Sequence, residues 1–471
     1  MMAEDKKAFD VCYRYRLYPT PEQEEWFRMN MSCCDFVYNH YLAERKRAYR
    51  RTQETVRRPV LAEGSSWDDD KPKFLRDEGG RVVYEEIANE QFDPEAKPMS
   101  FFDTSKDLTV LKRNLVDEGG ERWLQRADSV SLVYALRHLD QAYQNFFKHG
   151  ARYPKRRKPG QHLAYRTKAR GSDIRAGESP SSAYIVLPKV SAVPMVMHRP
   201  YSGTPYAATV SAEKDGRWYV SVSCKDVEMD EMEACGAEVG ITTGIREWLV
   251  TSDGAVFDNP RRSEKTAKKL ARMQRQLSRK QGAKKGEKKS KGYIELEHKI
   301  ARLKVKEKNQ RRDDTHKLTH RLVTDYGLIV SREMEVQQMM RKDKRDGALP
   351  IIAQKVIHRG LADANLFEIN RQLAYKSEWC GRTFVLLESD YPTAQTCSEC
   401  GAKYEILAKD LRSTWTCPEC GTAHDRKHNG AVNVLEAGKC KLAGRESKTS
   451  KNRKTQGRAT KGKVEPTTET N

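Results

Sequence analysis

Residues 8–18 alternate apolar and basic side chains, with Phe9, Val11, Tyr13, Tyr15 and Leu17 on one parity and Arg14 and Arg16 on the other. A period of two predicts a half-buried strand with one cationic face. Pro19-Thr-Pro-Glu22 then opens a helix: Thr20 suits the N-cap and Pro21 the first helical position. The helix continues through Trp26, Phe27 and Met31 toward Tyr49. Residues 51–100 mix turn formers and charges with weak periodicity and are expected to be a loosely structured insertion. Helical spacing returns at 103–116 and at 128–148, where Val130, Val133, Leu136, Leu139, Ala142 and Phe146 predict a core-facing stripe. Short alternating runs follow at 183–188, 206–211 and 217–224, with Asp215-Gly216 as a hairpin turn between the last two. They predict a small antiparallel barrel or sheet over 150–235.

From 236 the pattern becomes α/β. Strands are predicted at 239–241, at 247–251, after the Asp253-Gly254 turn, at 326–331 and at 383–387. Residues 261–312 are mostly helical in pattern with a Gly-Lys-rich break at 282–292, and a short last helix is expected at 429–437. Residues 438–471 have almost no apolar content and are expected to be disordered.

Charge sharpens this picture. The 471 residues hold 87 Lys and Arg against 66 Asp and Glu, a net charge of +21, which points to a polyanionic partner such as nucleic acid. The length suits about three domains. A hydrophobic fraction of 37% supports packed cores, and a charged fraction of 32% implies a large wetted surface. No stretch reaches the roughly 18–20 apolar residues of a spanning helix, and the first residues lack the apolar core of a signal peptide. Residues 261–312 carry 21 Lys and Arg against 5 Glu, and residues 438–471 carry ten against three. Both runs suit contacts with phosphates, as do Arg14, Arg16 and Lys155-Arg156-Arg157-Lys158.

Four of the 11 cysteines form two Cys-x-x-Cys pairs, Cys397 with Cys400 and Cys417 with Cys420, separated by 16 residues. Each pair is followed by glycine, Gly401 and Gly421, so the chain can turn and aim backbone amides at the sulfurs. Four thiolates at this spacing predict a closed, structural zinc site in a reducing compartment. The remaining cysteines lack such pairing and read as small buried or idle side chains.

Several stretches carry a family resemblance. Tyr15-Arg-Leu-Tyr-Pro-Thr20, Cys34-Asp-Phe-Val-Tyr-Asn39, Leu139-Asp-Gln-Ala-Tyr-Gln-Asn-Phe-Phe147 with Tyr153-Pro-Lys155, and Pro392-Thr-Ala-Gln-Thr-Cys-Ser-Glu-Cys-Gly401 are similar to TnpB. That family comprises RNA-guided nucleases of insertion sequences, the ancestors of compact type V CRISPR effectors. The resemblance covers most of the chain except 51–100 and the tail. It implies a multidomain α+β protein: a β-barrel wedge domain (1–18 and 160–235), a helical recognition lobe (19–150), an RNase H-like RuvC α/β core (236–390 and 421–437), an inserted four-cysteine zinc ribbon (391–420) and a disordered basic tail (438–471).

The resemblance also implies a nuclease site of three carboxylates holding two metal ions. All three positions depart from that pattern. Thr242 follows Gly240-Ile241, Arg332 follows the Leu328–Ser331 strand, and Lys427 lies two residues before Asn429-Gly-Ala-Val-Asn433. Neighbouring Glu333, Asp425 and Asp253 are not obvious replacements by register. The expectation is therefore a nuclease-inactive protein without catalytic magnesium, binding guide RNA and double-stranded target DNA through Arg14, Arg16, Lys155, Arg156, Arg157, Lys158, Arg272, Arg275, Arg279 and Lys280. Repression of transcription by occupancy is the expected use, with RNA polymerase or a sigma factor as candidate partners, no membrane, and a cytoplasmic, nucleoid-associated location. The rivals are a nuclease-dead type V effector, a partner-recruiting activator, and an active endonuclease with relocated acids.

Overall fold

The computed structural model describes residues 7–67, 73–78, 82–281, 288–341, 350–404 and 413–444. The chain divides into two compact units, Asp10–Val227 and Met1–Phe9 with Glu228–Asn471.

In the first unit, β1 (Ala8–Leu17) alternates as its sequence predicts, with Val11, Tyr13, Tyr15 and Leu17 buried. Thr20 starts α1 (Pro21–Arg51) with a reciprocal cap: its hydroxyl accepts the Gln23 amide at 3.3 Å, and Gln23 Oε1 accepts the Thr20 amide at 3.1 Å. The 51–100 region is more ordered than expected. It contains an antiparallel ribbon of β2 (Thr55–Pro59) and β3 (Tyr84–Ala88). Most residues of both strands are exposed, so neither has an apolar face to give the sequence a period.

α2 (Phe101–Asn114) leads to α3 (Ser129–His149), which packs on α1. The buried face of α3 is Ser131, Leu132, Ala135, Leu136, Leu139 and Tyr143, while Val130 is exposed. The helix is rotated from the expected stripe by a buried polar network. Asp128 caps the helix through the Val130 and Ser131 amides and accepts the Thr167 hydroxyl at 2.6 Å. The Ser131 hydroxyl reaches the Asp128 carbonyl at 2.7 Å, which holds this polar residue inward.

The remaining strands of this unit are β4 (Ala164–Lys168), β5 (Ile174–Arg175), β6 (Ala183–Leu187), β7 (Ser191–Val196), β8 (Thr204–Ala212) and β9 (Trp218–Glu228). The seven-stranded sheet runs β4-β8-β9-β1-β7-β6-β5. Asp215-Gly216 turns the β8–β9 hairpin, with Gly216 at φ 83°. Its end strands are β4 and the two-residue β5, and its adjacent strands pair antiparallel as the alternating runs predict.

The second unit is built on β10 (Glu238–Thr243), β11 (Glu247–Thr251) and β12 (Val256–Asp258), an antiparallel meander. The helices α4 (Arg262–Ser278) and α5 (Lys291–Asp325) lead to β13 (Leu328–Arg332), which pairs parallel to β10. The short α6 (Val336–Met339), then α7 (Ile351–Ala364) and α8 (Leu366–Trp379), lead to β14 (Thr383–Leu387), parallel to β13. The strand order is β12-β11-β10-β13-β14. The ribbon strands β15 (Thr414–Thr416) and β16 (Ala423–Asp425) precede α9 (Arg426–Leu442).

The central strands are buried on both faces, which explains their continuous apolar runs. Val239, Ile241 and Ile329 face a core with Leu318, Leu322, Leu361, Ile369 and Leu373. Leu328, Val330, Val385 and Leu387 face Val434 and Ala437 of α9 on the other side. α9 runs beyond the expected 429–437, so residues 438–442 are helical rather than disordered. Gly438 lies within this helix against Val330: a Cβ there would meet Val330 Cγ2 at 2.4 Å. Residues 445–471 of the expected tail lie outside the described residues. Among the described residues no helix is long and apolar enough to cross a membrane.

Close approach of α9 to β10 depends on Gly240, where a Cβ would stand 2.1 Å from the Ala431 carbonyl oxygen and 2.6 Å from the Leu435 nitrogen. Both are backbone atoms, so neither can move aside alone. Gly240→Ala is expected to destabilise this unit by about 1–3 kcal/mol, read as a lower urea midpoint. Gly236→Ala, whose Cβ would meet nothing within 4 Å, is expected to leave the midpoint unchanged.

Candidate metal centre and basic surfaces

The four cysteines converge, with their Sγ atoms all within 4.8 Å of one another. Cys397 and Cys420 Sγ are 3.7 Å apart, and Cys400 and Cys417 Sγ 3.6 Å. Tetrahedral zinc with Zn–S bonds of about 2.3 Å needs sulfurs about 3.8 Å apart, so the set fits the ion. The two knuckles repeat one geometry. Gly401 and Gly421 donate to the carbonyls of Cys397 and Cys417 at 3.0 and 2.8 Å, with φ of 77° and 72°. Cys397 and Cys417 donate in turn to the Ala402 and Thr422 carbonyls, both at 2.9 Å.

The thiols are unequal. Burial pushes Cys397 up to about 12. Burial also opposes ionisation of Cys417, but the backbone N–H groups of Cys420 and Glu419 and the Tyr404 hydroxyl outweigh it and bring that thiol down to about 6. Bound zinc would supply the charge that lets all four ionise and would lock the knuckles together. With four protein sulfurs no ligand position remains open, so such a site is structural.

Three contributors to the ribbon were not assigned that role from the sequence. His424 on β16 is buried, with Nε2 3.0 Å from Cys397 Sγ. Asn429 and Asn433 of α9 hold the entry to the ribbon. Asn429 accepts the Ser398 amide at 2.9 Å and donates to the Thr396 carbonyl at 2.8 Å, and Asn433 donates to the Thr393 and Thr396 carbonyls at 2.8 and 2.7 Å. Their spacing of four puts both on one helix face, which is the signal that could have found them.

The positions Thr242, Arg332 and Lys427 lie at one end of the sheet. Gly240 pairs with Val330, so two residues further along the parallel strands Thr242 comes level with Arg332. Lys427 is in the first turn of α9, and the Thr242 hydroxyl donates to its carbonyl at 2.9 Å. Lys427 Nζ forms an ion pair with Glu247 at 2.8 Å and donates to the Glu247 carbonyl at 2.9 Å. The Arg332 guanidinium donates to the carbonyls of Tyr391 at 3.1 Å and Ser389 at 3.4 Å. Burial lowers its pKa from the ordinary value, but a guanidinium stays charged.

The neighbouring acids occupy other places. Asp425 is the N-cap of α9 and accepts the amides of Lys427 at 3.0 Å and His428 at 2.8 Å. Glu333 is exposed beyond the end of β13. Asp253, in the β11–β12 turn, accepts the hydroxyls of Thr251 and Tyr326, at the opposite end of β10 from Thr242. Burial raises its pKa, and these hydrogen bonds outweigh it and hold the carboxyl low.

The basic residues separate into anchored and exposed groups. Arg14 is paired with Glu213 at 3.0 Å and lies 4.0 Å over the Tyr219 ring, and Arg16 lies 5.2 Å from the same ring. In the 155–158 run, Arg157 turns inward. It pairs with Asp35 at 3.3 Å, stacks 3.9 Å over Tyr38, and its backbone exchanges two hydrogen bonds with Asn39. Lys155, Arg156 and Lys158 are exposed. Arg272 and Arg275 on α4, with Arg279 and Lys280 just past its end, are also exposed. None of these four pairs with a carboxylate among the described residues.

Comparison with known proteins defines the class. Family models described as "Cas12f1-like, TNB domain" and "Probable transposase" of the OrfB IS605 type match residues 367–434 and 220–343. A "Helix-turn-helix domain" model of the same type matches 12–54, which here is one strand and one 31-residue helix. The Escherichia coli protein named RNA-guided DNA endonuclease InsQ is 30% identical over 325 residues, covering 68% of this chain and 77% of that protein. An RNA-guided DNA endonuclease named from Streptomyces pristinaespiralis is 28% identical over 448 residues, covering 93% and 90%. The chain belongs to the TnpB family, the OrfB proteins of IS605-type elements. Two solved structures align loosely: a Cas12f1–sgRNA–target DNA complex (TM-score 0.41, 10% identity, 91% of this chain and 99% of that one) and the mini-RNA-guided endonuclease CRISPR-Cas_phi3 (TM-score 0.43, 8% identity, 92% and 93%).

Metal analysis is expected to find about one zinc per chain, and Cys417→Ser to lose most of it while the five-stranded sheet stays folded. Asn429→Ala is expected to keep the zinc ligands but to cost about 1–3 kcal/mol in urea unfolding, because the Ser398 amide loses its acceptor.

Proposed function

We propose that this protein binds DNA under the direction of a guide RNA, does not cut it, and represses transcription by occupying the guide-matched site beside a short flanking motif. In this reading the five-stranded sheet with α9 is the RuvC-type RNase H core, the seven-stranded sheet is the wedge domain, and α1 to α3 form the recognition lobe. Guide RNA and DNA are carried over from what the relatives are named to do, and a double-stranded target is part of the reading proposed here. One observation carries the loss of cutting: a hydroxyl, a guanidinium and an ammonium stand at Thr242, Arg332 and Lys427.

Two-metal hydrolysis needs several carboxylates around both ions, and magnesium takes hard oxygen ligands. Arg332 puts a fixed positive charge at that end of the sheet, and Lys427, paired there with Glu247, offers no ligand oxygen to a divalent ion. Asp425 serves as a helix cap and Asp253 lies at the far end of β10, which argues against a relocated set. Guide and target are held by base pairing and backbone contacts, which do not require the cutting site. Exposed Lys155, Arg156, Lys158, Arg272, Arg275, Arg279 and Lys280 offer such contacts. Bound at a promoter, the complex blocks RNA polymerase; recruitment of a sigma factor would reverse the sign.

The test uses protein purified with its RNA, whose sequence names the target. The complex is expected to protect a matched duplex from nuclease digestion, to leave it intact with magnesium or manganese, and to lose affinity steeply with salt. Equal binding after RNA removal would mean an ordinary DNA-binding protein. Magnesium-dependent cutting that Glu333→Ala or Asp425→Ala abolishes would mean that neighbouring acids took over catalysis.

A further inference from the structure

A cavity of about 460 Å³ in the first unit is lined by residues of α1, of α3 and of the segment that leads into α2. Its walls include the rings of Tyr49, Tyr143, Phe146, Phe147 and Tyr153, with Met99 among them. A volume of this size, walled by apolar and aromatic side chains with a few polar groups, is the usual form of a small-molecule site. None of its residues belongs to the cysteine cluster, to the sheet end at Thr242 or to the basic run at 155–158.

The rings hold one another in place. The Tyr143 and Tyr153 hydroxyls share a hydrogen bond of 2.9 Å, and their rings meet edge to face at 5.7 Å. Phe146 meets Tyr153 edge to face at 5.3 Å. Phe147 stacks on Tyr143 with centroids 6.2 Å apart and an interplanar angle of 20°. Burial, and then the hydrogen bond to Tyr153, push the Tyr143 hydroxyl above its ordinary range, so the pair stays neutral. Phe147 is still 73% exposed and Tyr49 57%, which leaves two ring faces open to an incoming molecule.

The polar groups give the cavity a sign. Arg45 is buried, pairs with Asp140 at 3.1 Å and lies 5.1 Å from the Tyr143 ring centroid, while its Nε has no hydrogen-bond partner. Asp140 also accepts the Gln144 amide at 2.8 Å, so its charge is already engaged. Lys46 lies 5.4 Å from the Tyr153 ring centroid, and Lys148 lines the cavity from the last turn of α3, where it also offsets the partial negative charge of that helix end. Both lysines are exposed, and neither has a carboxylate partner among the described residues. An entering cation would meet like charge and find the Tyr143 and Tyr153 rings already attended by Arg45 and Lys46. A ring that carries a negative group finds aromatic walls for its body and unanswered ammonium groups for its charge.

We propose that this cavity binds a small planar aromatic carboxylate, with its ring against Tyr49 and Phe147 and its carboxylate paired to Lys148. The ligand is a free small molecule, and its binding needs neither guide-directed targeting nor repression. Because α1 and α3 both supply walls, an occupant joins the two helices and raises the stability of the unit with ligand concentration.

The test titrates the full chain, with its copurified RNA, by isothermal calorimetry using three probes of one shape: 2-naphthoate, 2-naphthamide and 2-naphthylmethylammonium. Naphthoate is expected to bind saturably and tightest, with the amide weaker and the ammonium weakest. Phe147→Ala is expected to weaken naphthoate and naphthamide alike, by about two- to tenfold for a lost aromatic contact. Lys148→Gln is expected to weaken naphthoate by about two- to fivefold and to leave the amide unchanged. Both substitutions fall at exposed positions, so the thermal midpoint of the unliganded protein is expected to stay at the wild-type value.

Absence of saturable naphthoate binding, equal affinity for the three probes, or affinities that neither variant changes overturns the proposal. Naphthoate binding that emerges only after the RNA is stripped overturns it too, since a nucleobase then fills the cavity. Failure of RNA-directed protection of DNA overturns the repressor reading alone and leaves these titrations as they are.

Discussion

The contact between α9 and β10 organises the second unit. Gly240 has no side chain, so the helix backbone comes down onto the strand within van der Waals distance of where a Cβ would be. Everything at that end of the sheet follows from this approach. It brings the Lys427 carbonyl to the Thr242 hydroxyl and the ammonium of Lys427 to Glu247. It also presents Asn429 and Asn433 to the loop that enters the zinc knuckles. One small residue therefore positions a helix, an ion pair and the attachment of the ribbon.

The ribbon and the sheet depend on each other unequally. The sheet has apolar cores on both faces. Among the described residues the ribbon has two three-residue strands and two knuckles. Its order comes from the four sulfurs and from hydrogen bonds to the two asparagines. The electrostatics at the sheet end have the same layered character. Lys427 is balanced by Glu247, Asp425 is engaged in capping, and Arg332 is held by the backbone carbonyls of Ser389 and Tyr391.

Local information was legible in the sequence where local chemistry decides structure. The Thr20 cap, the Asp215-Gly216 hairpin, the strand at 383–387 and the two Cys-x-x-Cys knuckles each rest on residues a few positions apart. Long-range choices were not legible. The 155–158 run reads as four equivalent cations, yet Arg157 alone turns in, because Asp35 and Tyr38 wait for it more than 100 residues upstream. The stripe on α3 is displaced because Asp128 and Ser131 belong to a buried polar network that hydrophobic periodicity does not register. The continuation of α9 past 437 was not legible because Gly438 is accommodated there against Val330, a residue of another strand.

The sequence by itself determined membership of the TnpB family, the two Cys-x-x-Cys pairs, and the presence of Thr, Arg and Lys at positions 242, 332 and 427. These are matters of residue identity and short spacing, which no later folding step can change. Only the tertiary structure decided that these three positions meet at one end of a sheet. The same holds for the two asparagines that tie the ribbon to α9 and for Arg332, whose guanidinium is held by the Ser389 and Tyr391 carbonyls. The reason is physical: register between parallel strands and the approach of a helix are set by packing across the core, and that packing joins residues far apart in the chain.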